Sequence, residues 1–473
     1  MFQNKIWLLA LFFFVSNIIV GQHLLSSEPK GGFTKEELTA LFGPFAQNGV
    51  KLYKILYTTL DVKGLPDTAS GLLIVPDRPN SIFPLLCAQH GTVDSKNDVP
   101  SNLRGGYELA VVFGSFGYVT VAPDLLGLGA SRGFHPYVHA DSEASAAIDM
   151  LYAAREYAAQ NNILLNDQLF ITGYSQGGHS AAALHRAIEQ DFSQDFTVTA
   201  SAPMSGPYSI SGEMRRLILS DEEYFFPAYV PNTLLSYDLV YDLFDSVAVA
   251  FKQPYAEWIE KYYEGTFTLG TLNDLLITKL TQDHGASVSK YMFQDSVLNA
   301  VATNLDHPVN VALRDNDLYN WAPQSPTRLF YCKADDQVIY LNSVVADSVM
   351  NLLGAPDVDA VDVNSQADHG ECVIPAVTQT FLFFLQYQSI TTDVQQPEIA
   401  SAIRVFPNPT TDRLIFTKLP DDTLLQLMDV NGKLVFQQKM DQAQLSVEQL
   451  PPGIYFLRLH WRTGYWSGKI VKQ

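Results

Sequence analysis

Short apolar runs separated by helical stretches constrain this chain more than any other feature. The runs LYKILYTTL (52–60), GLLIV (71–75), FPLLCAQH (83–90), YVTVAP (118–123), QLFITGY (168–174), TVTASAPM (197–204), RLFYC (328–332) and VDAVDV (358–363) have the length and composition of strands. The middle ones are apolar throughout and do not alternate, as strands covered on both faces must be. Between them, SEASAAIDMLYAAREYAAQ (142–160), the segment 176–190 and IPAVTQTFLFFLQ (374–386) carry helical periodicity. Strand, helix, strand in repetition predicts a mainly parallel sheet with helices on both sides. A chain of 473 residues, 47% of them hydrophobic, is long enough for that core and a second, smaller one.

Two stretches interrupt the rhythm. Residues 207–322 hold helical patterns and many aromatics but little strand character, and a loop of that length must have structure of its own. Its position between two sheet strands predicts an inserted helical cap. The second, QSITTDVQQPEIAS (388–401), is polar and without periodicity, which reads as a linker. After it come short alternating strands, RLIFTKL, TLLQLMDV, KLVFQQKM and GIYFLRLHWRTGYWSGKIVKQ, with Asn431-Gly432 as a hairpin turn. Residues 402–473 are therefore expected to form a separate small β-sandwich domain, and 23–387 the main α/β body.

At the start, Lys5 precedes IWLLALFFFVSNIIVG, a run short for a bilayer span and broken by Ser16 and Asn17. Residues 1–22 read as a secretory signal peptide cut near Gly21 or Gln22, with a retained N-terminal anchor as the alternative. No later segment reads as a membrane span. The net charge is −20 overall. Residues 401–473 carry nine Lys/Arg against six Asp/Glu and the signal contributes Lys5 alone, which leaves 20 minus 44, or −24, for residues 22–400. So acidic a body argues against nucleic acid and anionic membrane surfaces as partners.

Gly173-Tyr174-Ser175-Gln176-Gly177 matches G-x-S-x-G at the junction of a strand and a helix, the context in which that motif exposes a nucleophilic serine. A serine hydroxyl needs a base to take its proton and an acid to orient the base. In such a sheet the order is Ser, then Asp or Glu, then His, each at the carboxyl end of a strand. His369 follows the strand at 358–363 and is the expected base. Asp335 follows the strand ending near Lys333 and is the preferred acid, with Asp336 the competitor one residue on. The oxyanion donors are expected to be the backbone N–H groups of Gln176, at a helix N-terminus, and of Thr92, in the glycine-bearing loop His90-Gly91-Thr92. No metal or organic cofactor is called for. His135 and His139 have the spacing of a metal pair, but Pro136 and the lack of a third ligand nearby favour a loop or core role. His179 is expected to pack or cap, and Glu371 to be a solvated loop charge.

Together with Pro123-Asp124-Leu125-Leu126-Gly127-Leu128-Gly129, His135-Pro136-Tyr137 and Ala202-Pro203-Met204-Ser205-Gly206-Pro207-Tyr208, these motifs resemble the α/β-hydrolase fold, in its secretory lipase and esterase branch, over residues 35–388. Asp124 is carried over as structural only. Members of that branch often have glycine and proline at the positions of Cys332 and Ile339, so the acid loop departs from the pattern. The resemblance implies a secreted carboxylic-ester hydrolase acting on an acyl ester or lipid through an acyl-enzyme. A serine peptidase is the alternative, for which Glu222-Glu223 would have to bind a peptide amino terminus; a catalytically inactive binding protein is a third. Phe225, Phe226, Tyr229, Tyr237, Tyr241, Phe244, Phe251, Trp258, Tyr262 and Tyr263 offer an apolar lining for an acyl chain, although aromatics at helical spacing more often serve as cap core.

Val405-Phe406-Pro407-Asn408-Pro409, Asp429-Val430-Asn431-Gly432-Lys433, Leu450-Pro451-Pro452-Gly453-Ile454-Tyr455-Phe456 and the ending Lys469-Ile470-Val471-Lys472-Gln473 resemble the sorting domain read by the bacterial type IX secretion machinery. That implies export through the periplasm and outer membrane of a Gram-negative cell. A carbohydrate-binding sandwich would rest on Trp461 and Trp466 alone. Three cysteines are too few to staple the fold. Cys332 and Cys372 flank the loops of the acid and the base, and in an oxidising exterior they either pair, in a disulfide that would stabilise by about 4 kcal/mol, or stay free thiols. Cys87, inside a strand, is expected to stay a buried thiol.

Overall fold

The computed structural model describes residues 22–43, 46–392, 403–420, 422–429, 433–440, 442–461 and 464–473. The signal segment, most of the linker and the Asn431-Gly432 turn lie outside the described residues. The chain divides into two compact units between Thr391 and Thr392.

In the first unit, strands β1 (Leu24–Phe33), β2 (Val50–Leu60), β3 (Pro66–Pro76), β4 (Ser81–Gln89), β5 (Val119–Pro123), β6 (Leu164–Tyr174), β7 (Val198–Met204), β8 (Thr327–Tyr331) and β9 (Val358–Asp362) line up in one sheet. Their order is β1-β2-β3-β5-β4-β6-β7-β8-β9. The first three are antiparallel to their neighbours, and from β5 through β9 every pairing is parallel. Successive side chains point to opposite faces, which explains the unbroken apolar runs. Leu85 and Ile171 pack with Ala147, Leu151 and Leu184 of the helices Ala140–Gln160 and Gln176–Asp191. Their neighbours Leu86 and Phe170 pack with Phe113 and Phe384 of the helices Tyr107–Ser115 and Val373–Leu385 on the other face. The layered α/β arrangement is the one expected from sequence.

Strand β1 was not legible. It sits at the sheet edge, most of its residues are exposed, and it contains Pro29, Gly31 and Gly32, so it has neither the apolar content nor the alternation that marks a strand.

Between β7 and β8 lie seven α-helices, from Arg215–Leu219 to Pro308–Asp315, with a core of their own around Leu235, Tyr237, Phe251, Ile259, Leu276 and Met292. In the second unit, Val405–Phe406, Arg413–Phe416 and Gln444–Ser446 form a three-stranded sheet, and Leu434–Lys439, Leu424–Met428, Gly453–Trp461 and Gly464–Lys472 a four-stranded one. Alternate residues Leu425, Leu427, Tyr455, Leu457, Leu459 and Trp461 fill its interior. Trp461 is thus a core residue, and the partly buried Trp466 packs against the same core.

Candidate active site

Because β4, β6, β8 and β9 run parallel, the loops that follow them emerge at one edge of the sheet, and the expected site residues all belong to those loops. Ser175 connects β6 to the helix Gln176–Asp191 with φ +62° and ψ −123°, a conformation that a non-glycine residue holds only under constraint. The constraint comes from close packing on both sides. A Cβ on Gly173 would lie 2.2 Å from the Gly177 carbonyl oxygen, and one on Gly177 would lie 2.2 Å from that of Gln89. Ser175 N–H donates to the Met204 carbonyl on the neighbouring strand at 3.0 Å, which pins the turn to the sheet.

His369 Nδ1 donates to Asp335 Oδ2 at 2.7 Å, in a pair that is nearly closed to solvent. The other carboxylate oxygen of Asp335 accepts the N–H groups of Gln337 and Val338 at 3.0 and 2.9 Å. Asp336, the competitor, accepts the backbone N–H of His369 at 3.2 Å and so meets its main chain, not its ring. A disulfide joins Cys332 and Cys372. At its ends, Asp335 N–H donates to the Cys332 carbonyl and Cys372 N–H to that of Asp368, so acid loop and base loop are tied within a few residues of the pair. Tyr174, next to the serine, donates its hydroxyl to the His369 carbonyl at 2.6 Å.

The loop after β4 meets the serine turn at Gly91, where a Cβ would lie 3.7 Å from Ser175 Cβ. His90 anchors this loop, its Nε2 3.1 Å from the Asp124 carbonyl. Asp124 is fully buried and accepts from Ser70 Oγ and the Ser101 N–H, which is the structural role expected of it. Thr92 shares a 2.8 Å hydrogen bond with the Tyr137 hydroxyl. Gln176 opens its helix, where the first N–H groups have no intrahelical acceptor.

The esterase LipA of Xanthomonas oryzae, a rice cell wall degrading enzyme, is 29% identical over 77% of this chain and 96% of its own, with a TM-score of 0.68. A protein of Legionella pneumophila is 26% identical over 77% and 98%, with a TM-score of 0.69. The body has the α/β-hydrolase fold. Lipase A of Candida antarctica in its closed state shares this fold at 13% identity, with a TM-score of 0.59 over 77% of this chain and 81% of its own. Residues 404–473 match the secretion system C-terminal sorting domain. The hydrolase is therefore exported by type IX secretion, to the medium or the surface of a Gram-negative cell. No curated protein matches the chain, and among the described residues no helix is long and apolar enough to cross a membrane.

Two cavities of the hydrolase meet at Tyr137 and Gln176. The first is lined by Ser175 and by aliphatic cap residues such as Ile210, Ile218, Leu234, Leu298 and Leu313. Of the ten aromatics weighed as lining or cap core, Tyr229 and Phe244 border it. Tyr237 and Phe251 are cap core, and Phe225 is exposed. The second cavity is mixed, with Asp94, Lys96, Asn97 and Asn232 beside Leu128, Phe134, Tyr262 and Phe267.

The remaining histidines belong to other structure. His139 accepts from the Ser142 N–H and caps the helix Ala140–Gln160. His135 and His179 both bond into a group centred on Glu143, a residue that sequence reasoning passed over. One signal was available: Ala140, Glu143, Ala144 and Ala147 fall on one helical stripe, which places Glu143 on the buried face. Glu371 is exposed in its loop.

Proposed function

We propose that the chain is a secreted serine carboxylic-ester hydrolase of the lipase and esterase kind, working through an acyl-enzyme on Ser175. The observation that carries this reading is the 2.7 Å hydrogen bond from His369 Nδ1 to Asp335 Oδ2, with the serine held at positive φ in the adjoining turn. A ring that donates at Nδ1 has Nε2 available as a base. His369 takes the Ser175 proton as the oxygen attacks the ester carbonyl, and Asp335 stabilises the imidazolium that forms. The backbone N–H groups of Thr92 and Gln176 receive the charge on the carbonyl oxygen. His369 then protonates the departing alcohol, and water, deprotonated by the same ring, releases the acid. These residues supply every proton transfer in the sequence of steps.

The apolar cavity at Ser175 suits the acyl chain, and the mixed cavity that shares Tyr137 and Gln176 with it suits the alcohol. The similarity to an esterase supports an ester bond. A peptidase lacks support here: Glu222 pairs with Arg216 and Glu223 accepts from Ser287 N–H, and neither borders either cavity. The test is hydrolysis of p-nitrophenyl esters of increasing acyl length by the mature chain and by Ser175→Ala, beside aminoacyl-nitroanilides. Ester turnover lost in Ser175→Ala is the expected result. Turnover of the nitroanilides alone, or of neither series, would overturn it.

A further inference from the structure

Gln176 has two tasks in this fold. Its backbone N–H is one of the donors assigned to the oxyanion, while its side chain belongs to a buried polar chain that the steps above do not use. The amide nitrogen lies 2.9 Å from Glu143 Oε1 and 2.7 Å from His135 Nε2. Glu143 Oε2 lies 2.7 Å from His179 Nδ1, and His179 Nε2 lies 3.1 Å from the Asn316 carbonyl. Glu143, Gln176 and His179 are at most 1% exposed.

Donor and acceptor roles follow from the neighbours. His135 Nδ1 is 2.7 Å from the Leu126 carbonyl and must donate there. Burial pushes the ring's pKa down to about 4, so it is neutral near pH 7 and its Nε2 is a bare acceptor. The two hydrogens of the Gln176 amide therefore go one to His135 and one to Glu143. A flipped amide would set its oxygen against the Glu143 carboxylate, which excludes the other orientation. Burial alone would raise the Glu143 pKa, but the charge and hydrogen bond of His179 and the hydrogen bond of Gln176 hold it below its ordinary value. The side chain of the residue that follows Ser175 is thus gripped from two sides, by groups on two different segments.

We propose that Glu143 and His135 are positioning residues for catalysis: by fixing the Gln176 side chain they fix the first helical turn, and with it the direction of the Gln176 backbone N–H toward the oxyanion. This rests on ester hydrolysis at Ser175. Neither residue touches the reacting atoms. They act through Gln176, on a turn whose positive φ persists only where its surroundings over-determine it.

The test uses the full mature chain with Gln176→Met, Glu143→Ala and Glu143→Gln, each counted by fluorophosphonate labelling of Ser175. Gln176→Met keeps the backbone N–H and the Glu143–His179 pair but removes the gripped amide. Two readings are taken: kcat and KM on a p-nitrophenyl ester, and affinity for an alkyl trifluoromethyl ketone, whose carbonyl carbon bonds to Ser175 Oγ as its oxygen becomes the oxyanion. In Gln176→Met and Glu143→Ala, kcat per labelled serine is expected to fall about tenfold or more with KM little changed, and ketone affinity to fall in parallel. Glu143→Gln, which keeps an acceptor oxygen for the amide, is expected to retain most of the activity. Unchanged kcat and ketone affinity in Gln176→Met, however far its melting temperature falls, would overturn the inference. If the wild-type chain neither turns over the ester nor takes the label, the hydrolase reading itself has failed.

Discussion

Two histidine–carboxylate pairs stand on either side of the serine turn, and they are alike in almost every local measure. His369 meets Asp335 at 2.7 Å and His179 meets Glu143 at 2.7 Å, and both pairs are shut away from solvent. They differ in what the second ring nitrogen does. His179 Nε2 faces the Asn316 carbonyl, so both its nitrogens meet acceptors and its hydrogen bonding is complete. Among the described residues no group bonds His369 Nε2, which is what its proposed role as base requires. A histidine beside a carboxylate is thus a catalytic base only if its far side is left open; closed, it is a brace.

Predictions that would break this comparison begin with the acid. Asp335→Asn leaves the shape of the loop but removes the charge behind His369, and kcat on esters is expected to fall about 10⁴-fold. Asp336→Asn, which keeps an acceptor for the His369 main chain, should stay near wild type. Equal losses from the two would mean that the geometry misassigns the acid.

The brace should show itself in stability. Removing either member of the buried pair, as Glu143→Leu or His179→Leu, leaves the other polar group uncompensated, at a cost of about 3–5 kcal/mol in denaturant unfolding. The double replacement should cost less than the sum of the two singles. Additive losses would mean that the pair is not a unit.

The disulfide separates the pairs in another way, since it ties only the loops of Asp335 and His369. Replacing both cysteines by alanine is expected to destabilise by about 4 kcal/mol on the loop-entropy model, with ester turnover becoming more temperature-sensitive. An unchanged denaturation midpoint would remove the bond from the account.

The smallest effect concerns acid. His135 takes up its proton at about 4 when folded, against an ordinary 6.5. Between those values the unfolded chain binds the extra proton and the folded chain does not, so stability falls as pH drops from 6.5 toward 4, by up to about 3 kcal/mol. In His135→Asn that part of the slope should vanish. The depressed Glu143 acts in the same direction at lower pH.

Legibility in the sequence followed the range of the interactions. The serine turn was legible because strand, glycines, serine and helix are contiguous, and each glycine answers to a close approach. That His369 and Asp335 would meet was legible because parallel strands deliver their loops to one edge, so chain order stands in for space. The choice between Asp335 and Asp336 was not fixed by sequence; it depends on which carboxylate the loop turns toward the ring. Glu143 was overlooked because its partners are 33 and 36 residues away and a lone glutamate among alanines carries no motif. Most of the conspicuous aromatics fill the cap's own core, as their helical spacing favoured, while the dispersed aliphatics from several helices that line the cavity at Ser175 carry no motif.

The central claim is that Ser175 carries the acyl group. The most direct measurement is to mix the mature chain with a p-nitrophenyl ester, quench in acid within the first turnovers, and map the added mass by peptide mass spectrometry. An acyl group on Ser175, absent from Ser175→Ala, is the predicted result. An acyl group on another residue, or ester turnover that survives in Ser175→Ala, would contradict it.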